Sequence, residues 1–299
     1  MAEVRGRVLA GWAVAAGVAL VVAVAVLWAL LGPRDEPPIE SAPAATQEPR
    51  EPAPAPTKRP PGFPENTETY DLDPLPAAEV FAILPELEVD DDPLAETAGL
   101  VANAEEERIP VFADPEADPV ASLARDQRYG GTAVPVVEKQ DHWVRVLLPG
   151  RRGLPPDGDP RQLTGWLRAA DVSLAEQEAR VDVRLDEGVI EIAREDGESE
   201  RLDGPFAWGE AATPTPVGRS FIMLSEVTSL DYARGHPVVY LAAQSPTLAG
   251  FAGQSVAVTA FHYHDVHEGP ISNGCLRLGA ADIGRLAELP LGTPVFVHG

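Results

Sequence analysis

Between Val8 and Leu31 the chain carries no charged side chain, and nearly every residue is Ala, Val, Leu, Gly or Trp. As a helix rising ~1.5 Å per residue the run spans roughly 36 Å, slightly more than the ~30 Å bilayer core. The apolar stretch of a cleaved leader is usually about 7–15 residues, and no Cys follows this one for lipoprotein processing. Trp12 and Trp28 lie towards its two ends, where amphipathic rings favour the interface. Arg5 and Arg7 precede it, whereas Arg34 is followed at once by Asp35 and Glu36. The positive-inside rule then places residues 1–7 in the cytoplasm, residues 8–31 as a single-pass helix in the cell membrane, and the rest outside. A long cleaved leader would leave the body in the same extracytoplasmic compartment.

Forty-seven acidic against 23 basic residues give a formal charge of -24. Such a surface repels polyanions, which argues against nucleic acid or an anionic lipid surface as a partner. A single cysteine excludes an internal disulfide framework, a Cys-x-x-Cys redox pair and a Cys-rich zinc module. Residues 33–64 hold 11 prolines among Ala, Glu, Thr and Arg, a composition that cannot bury a core and favours extended polyproline II. At about 3.1 Å per residue this linker reaches on the order of 100 Å. Residues 65–107 hold 14 carboxylates and no Lys or Arg. They are expected to be largely disordered, with one short helix at Val80-Phe81-Ala82-Ile83-Leu84; packing onto the following domain is the alternative.

Two folded blocks follow, both mostly β. In residues 108–174 the runs Ile109-Pro-Val-Phe, Ala133-Val-Pro-Val-Val and His142-Trp-Val-Arg-Val-Leu-Leu-Pro read as short strands between Gly, Pro and Asp turns. Trp-Val-Arg-Val-Leu-Leu-Pro, a Gly/Pro-rich hairpin, then Gly165-Trp-Leu and Asp171-Val resemble bacterial SH3-like domains, small β-barrels that often accompany wall enzymes. Trp143 and Trp166 are expected in the core rather than on a ligand platform. Residues 178–299 open with the alternating strand Arg180-Val-Asp-Val-Arg-Leu and continue through Val189-Ile-Glu-Ile, Ser220-Phe-Ile-Met-Leu, Val238-Val-Tyr-Leu, Val256-Ala-Val-Thr-Ala-Phe and Val295-Phe-Val. One or two helices are expected among them, one at Ala280–Leu289.

The sole cysteine lies in Ile271-Ser-Asn-Gly-Cys-Leu-Arg-Leu. A lone Cys is usually a small buried hydrophobe, but these neighbours suit a nucleophile. The Gly274 and Cys275 amides are placed to face a developing oxyanion, while Ser272 and Asn273 can orient groups by hydrogen bonding. In an extended segment Arg277 shares a face with Cys275 and favours its thiolate. A thiol with a pKa near ~8.5 needs a base or a lowered pKa at neutral pH, and His262, His264 and His267 lie just upstream. His-x-His also presents two imidazoles from one strand face, so a metal site is a competing reading.

Ser272-Asn-Gly-Cys-Leu-Arg-Leu278 resembles the S-x-G-C-[hydrophobic]-R signature of L,D-transpeptidases with a YkuD-type catalytic domain. Thr213-Pro-Thr-Pro-Val-Gly-Arg-Ser-Phe is similar to the family's T-P-x-G-x-[Y/F] element, and Leu291-Gly-Thr-Pro-Val to its ending. The resemblance covers about residues 178–299. It implies a β-rich catalytic domain and a cysteine acyl-enzyme made from a peptidoglycan stem tetrapeptide, resolved by a second stem into a 3→3 cross-link. Cys275 would be the nucleophile, Thr215, Pro216, Gly218 and Arg277 would contact substrate, no metal or organic cofactor would be needed, and carbapenems would acylate the thiol. Two positions depart from the pattern. Many members carry His-Gly about 16 residues before the cysteine, where this chain has Thr259-Ala260, and Asn273 replaces a common His. His262 is then the preferred base, as Ala-Phe-His prolongs the strand, with His264 the second choice. An L,D-carboxypeptidase and a non-catalytic, wall-binding scaffold protein are the rival functions.

Overall fold

The computed structural model describes residues 62–129 and 133–299. The apolar run 8–31 and the linker up to residue 61 lie outside the described residues; among those described, no helix is long and apolar enough to cross a membrane.

The first half holds β1 (Glu88–Val89), β2 (Leu100–Ala104), β3 (Arg108–Val111), β4 (Ala121–Ala124), β5 (Ala133–Lys139), β6 (Trp143–Leu148), β7 (Leu163–Arg168) and β8 (Val172–Glu176). Six of them form one sheet in the order β1-β7-β6-β5-β2-β8, with β3 and β4 paired separately as a hairpin. Phe112, just past β3, ties that hairpin to the sheet, exchanging backbone hydrogen bonds of 2.9 and 2.8 Å with Trp166. Alternation decides the inside: Val134, Val136, Val144, Val146, Leu163 and Leu167 are wholly buried. Trp143 is wholly buried too, and its indole N–H donates to the carbonyl of Pro64 at 2.8 Å. Trp166 is half-buried beneath Phe63, ring centroids 5.4 Å apart. The last residues of the expected linker, Gly62–Pro64, are therefore part of this block.

The acidic segment is the main correction to the sequence reading. Residues 65–107 supply β1 and β2, the latter pairing with both β5 and β8. Ala78, Val80, Leu84 and Leu87 enter the core at 3% exposure or less. Val80–Leu84 forms no helix. The Ala78 N–H donates to Ser122, the Leu84 N–H to Arg151, and the Ala82 carbonyl accepts from Arg151, so this stretch is edge pairing. Most of the carboxylates stay in solvent while these four side chains and Val101, Ala102 and Ala104 of β2 are buried, which reconciles the charge with packing. The folded unit therefore begins well before residue 108.

The second half holds β9 (Ala179–Arg184), β10 (Val189–Arg194), β11 (Ser199–Arg201), β12 (Ala207–Gly209), β13 (Gly218–Val227), β14 (Pro237–Gln244), β15 (Val258–Tyr263), β16 (Gly269–Ser272), β17 (Leu276–Leu278), α1 (Ala280–Ala287) and β18 (Pro294–His298). The sheet order is β11-β10-β9-β18-β13-β14-β15-β17-β12-β16, with β15 and β17 parallel. α1 buries Ile283 and Leu286 against Ile222, Val239, Leu241, Phe261 and Leu276. Each such side chain contributes roughly 1.5–3 kcal/mol by leaving water.

Polar groups join the halves. Arg219 at the start of β13 makes a two-point ion pair with Asp90, 2.7 and 2.8 Å, both side chains 5% exposed or less. Arg151, wholly buried, donates to the carbonyls of Ala249 and Ser255 at 3.2 and 2.7 Å and so pins the loop that leads into β15.

Candidate active site

The parallel register of β15 and β17 sets Phe261 beside Leu276 and His262 beside Arg277. Phe261 and Leu276 face the core, so alternation turns Ala260, His262, Cys275 and Arg277 to the other face. Cys275 and Tyr240 both pack there against the cluster of Ala233, Val238 and Ala260. Its thiol donates to the carbonyl of Val258 at 3.8 Å. Burial pushes this thiol above its ordinary pKa, while the Ala260 N–H and the Arg277 charge pull the other way. The residue itself keeps some exposed surface.

His262 sits two positions along the same strand face, 6% exposed. Its Nδ1 lies 2.8 Å from the Tyr263 carbonyl, which fixes the proton on Nδ1 and leaves Nε2 as the acceptor. Burial lowers its pKa to about 4, helped by Arg277 and His264 and opposed by the Tyr263 carbonyl, so the ring is neutral at pH 7. Cα atoms one rung apart on the diagonal are about 8 Å apart, from strand spacing and rise. The sulfur's hydrogen-bonding partner is thus a backbone carbonyl and not an imidazole.

Two tyrosines complete this face, and nothing in the sequence pointed to them. Tyr232, in a short 3₁₀ turn at Asp231–Ala233, lies against His262 with ring centroids 4.9 Å apart. Tyr240 on β14 is pushed up to about 12, by burial first and then by Tyr232, Glu226, Tyr129 and Cys275. His264 falls beyond the end of β15, and its Nδ1 accepts the Val266 N–H at 3.0 Å, which leaves the ring proton on Nε2. His267 turns its Nδ1 to the His264 carbonyl at 2.6 Å. Among the described residues no group of three His, Cys, Asp or Glu is arranged to hold a metal ion.

The turn that carries Cys275 is tied from within and from outside. The Ser272 hydroxyl donates to the Cys275 carbonyl at 2.6 Å and accepts the Gly274 N–H at 3.1 Å. The Gly274 amide, expected in an oxyanion hole, is therefore already engaged. Gly274 has φ +105°, and a Cβ there would lie 3.3 Å from the Pro214 carbonyl, so the turn is written for glycine. Asn273 is exposed, and Arg277 is half-buried with its Nε lacking a partner.

The Thr213–Gly218 segment lies against the cysteine turn. Thr215, foreseen as a substrate contact, is 3% exposed, and its hydroxyl is consumed inside the fold. It donates to the Gly274 carbonyl at 2.9 Å and accepts the Gly209 N–H at 2.9 Å. The Thr213 hydroxyl donates to the Ser272 carbonyl at 3.1 Å. Gly218 opens β13 at φ +119°, with Pro93 2.9 Å from where a Cβ would stand. Thr215, Pro216 and Gly218 all line a cavity of about 340 Å³ shared with Gln244, Leu241 and Thr259. Thr259 therefore faces that cavity, while its neighbour Ala260 faces Cys275.

Residues 178–297 match the family model of YkuD, the L,D-transpeptidase catalytic domain. None of the curated proteins matches the chain. Similar solved structures include an L,D-transpeptidase from Stackebrandtia nassauensis, 23% identical over 42% of this chain and 57% of that one, TM-score 0.30. Others are an L,D-transpeptidase from Mycobacterium smegmatis, 16% identical over 53% and 91%, TM-score 0.31, and one from Mycobacterium tuberculosis H37Rv, 14% identical over 53% and 91%, TM-score 0.33. At scores of this size the assignment rests on the family match, which spans the strands and the cysteine turn described above. Over residues 178–297, less than half of its length, the chain is similar to the L,D-transpeptidase catalytic domain of the YkuD family.

Proposed function

We propose that this chain is a peptidoglycan L,D-transpeptidase that forms 3→3 cross-links through an acyl-enzyme on Cys275. The supporting observation is the shared face of β15 and the Cys275 turn, on which thiol, neutral imidazole and guanidinium meet inside the matched domain. The Cys275 sulfur attacks the carbonyl that links the third residue of a stem tetrapeptide to its terminal D-Ala, and the thiol proton passes to His262 Nε2. The C–N bond breaks, D-Ala leaves with that proton on its amine, and a thioester remains. A side-chain amine of a second stem then attacks the thioester and returns the thiol. Water in place of that amine would make the enzyme an L,D-carboxypeptidase. Approach of His262 to the sulfur falls to the substrate-bound state, as catalytic hydrogen bonds often tighten only there.

In this reading residues 8–31 anchor the enzyme, the proline-rich linker spaces it, and the first β block is an SH3-like partner to the catalytic domain outside the membrane. The second reading, a wall-binding protein with an impaired site, is favoured by one observation: the thiol donates to the backbone carbonyl of Val258, and burial pushes its pKa up. Intact-mass analysis of the detergent-solubilised full chain with a carbapenem separates the two. A single adduct on the wild type and none on Cys275→Ala supports the enzyme; folded wild-type protein without an adduct establishes the second reading.

A further inference from the structure

The Thr213 and Thr215 hydroxyls hold two different peptide units of the cysteine turn, and the two bonds have different consequences. In a trans peptide the carbonyl and the following N–H point in opposite directions within one plane. The Gly274–Cys275 peptide is trans. Its carbonyl is gripped by the buried Thr215 hydroxyl, which is itself fixed by the Gly209 N–H. The direction of the Cys275 N–H is therefore set by Thr215. The other amide of the turn, Gly274 N–H, is already given to Ser272 Oγ, so the Cys275 N–H is the amide of this pair left for a developing oxyanion. The Thr213 hydroxyl grips the Ser272 carbonyl instead, and that plane carries the Asn273 N–H. The Ser272 carbonyl has a second donor, the Glu210 N–H at 3.0 Å, whereas Thr215 is the side chain that aims the Cys275 amide.

We propose that Thr215 is a positioning residue for the reaction: its hydroxyl sets the plane of the Gly274–Cys275 peptide and so aims the oxyanion-stabilising N–H of Cys275. This rests on the transpeptidase reading. It assigns to the second Thr of Thr-Pro-Thr-Pro a role that does not involve touching substrate.

The test compares Thr215→Val, Thr215→Ser and Thr213→Val in the full chain, with carbapenem acylation resolved into KI and kinact. A displaced oxyanion donor should lower kinact by about tenfold or more in Thr215→Val, at unchanged KI. Thr215→Ser should restore kinact, and Thr213→Val, which loosens the same turn through the other peptide, should leave it near wild type. Equal losses in Thr215→Val and Thr213→Val, or no loss in Thr215→Val, overturn the proposal. A second readout is independent of activity. Because Cys275 is the only cysteine, ¹⁵N-cysteine labelling gives a single amide resonance. It should move in Thr215→Val, return in Thr215→Ser and stay in Thr213→Val. Were the wild type to form no adduct, the transpeptidase reading would fall, and an amide resonance unmoved by Thr215→Val would sink the positioning role separately.

Discussion

His262 shows how far one side chain's environment decides its chemistry. Its ring is buried and flanked by Arg277 and His264, which outweighs the bond from Nδ1 to the Tyr263 carbonyl, so its pKa falls to about 4. In the unfolded chain the same ring titrates near its ordinary value of ~6.5. The folded pKa is the lower one, so the stability tied to neutral His262 is complete above pH 6.5 and is lost as pH falls towards 4. The loss is on the order of 3 kcal/mol. Urea unfolding from pH 7 to 4 should therefore show a steeper acid decline for the wild type than for His262→Gln; parallel declines would mean the ring is not held neutral by burial. In acylation assays His262→Gln should cost about a hundredfold or more, as loss of a general base does. His264→Gln should cost little, because His264 lies beyond the end of β15 and its basic Nδ1 is already taken by the Val266 N–H.

At the scale of elements, the consequential unit is the stretch from Ala78 to β2, whose charge reads as a tail and whose apolar residues act as a wedge. Leu87 is wholly buried, and Asp90 is locked to Arg219 from the neighbouring half. Removing one partner of a buried ion pair leaves the other unpaired, a cost of about 3–5 kcal/mol. Asp90→Ala should lower the denaturation midpoint accordingly, and a change under about 1 kcal/mol would place that pair in solvent. Alternation was readable for β9, whereas β13, β14, β15 and β18 were legible as short apolar runs, with consecutive residues buried. The same rule missed β1 and β2, which lie in residues 65–107, where the buried apolar residues are diluted by 14 carboxylates.

For the whole molecule, the two β blocks share one boundary built from Arg219, Arg151, Gln244 and the segment before β2. Gln244 donates to the Val80 carbonyl at 2.8 Å, and Ser220 to Gln162 at 2.9 Å. A chain cut at residue 108 would lose β1 and β2, strip β5 and β8 of a partner and leave Arg219 unpaired. It should be recovered insoluble, whereas a chain begun at residue 62 should be soluble and give a single cooperative melt. A soluble, cooperatively folded chain from 108 would show that the acidic segment is dispensable after all.

By itself the sequence determined the β class of both blocks and singled out Cys275 and His262 as the candidate nucleophile and base. These follow from local patterns: alternation of period two, a glycine turn around one cysteine, and continuation of one strand. Only the tertiary structure decided that Tyr232 and Tyr240 share the cysteine's face and that the Gly274 amide is spent on Ser272. It also decided that Thr215 serves the turn and that the acidic stretch is core. Each of these depends on which strand lies beside which, and long-range pairing leaves no periodic trace along the chain.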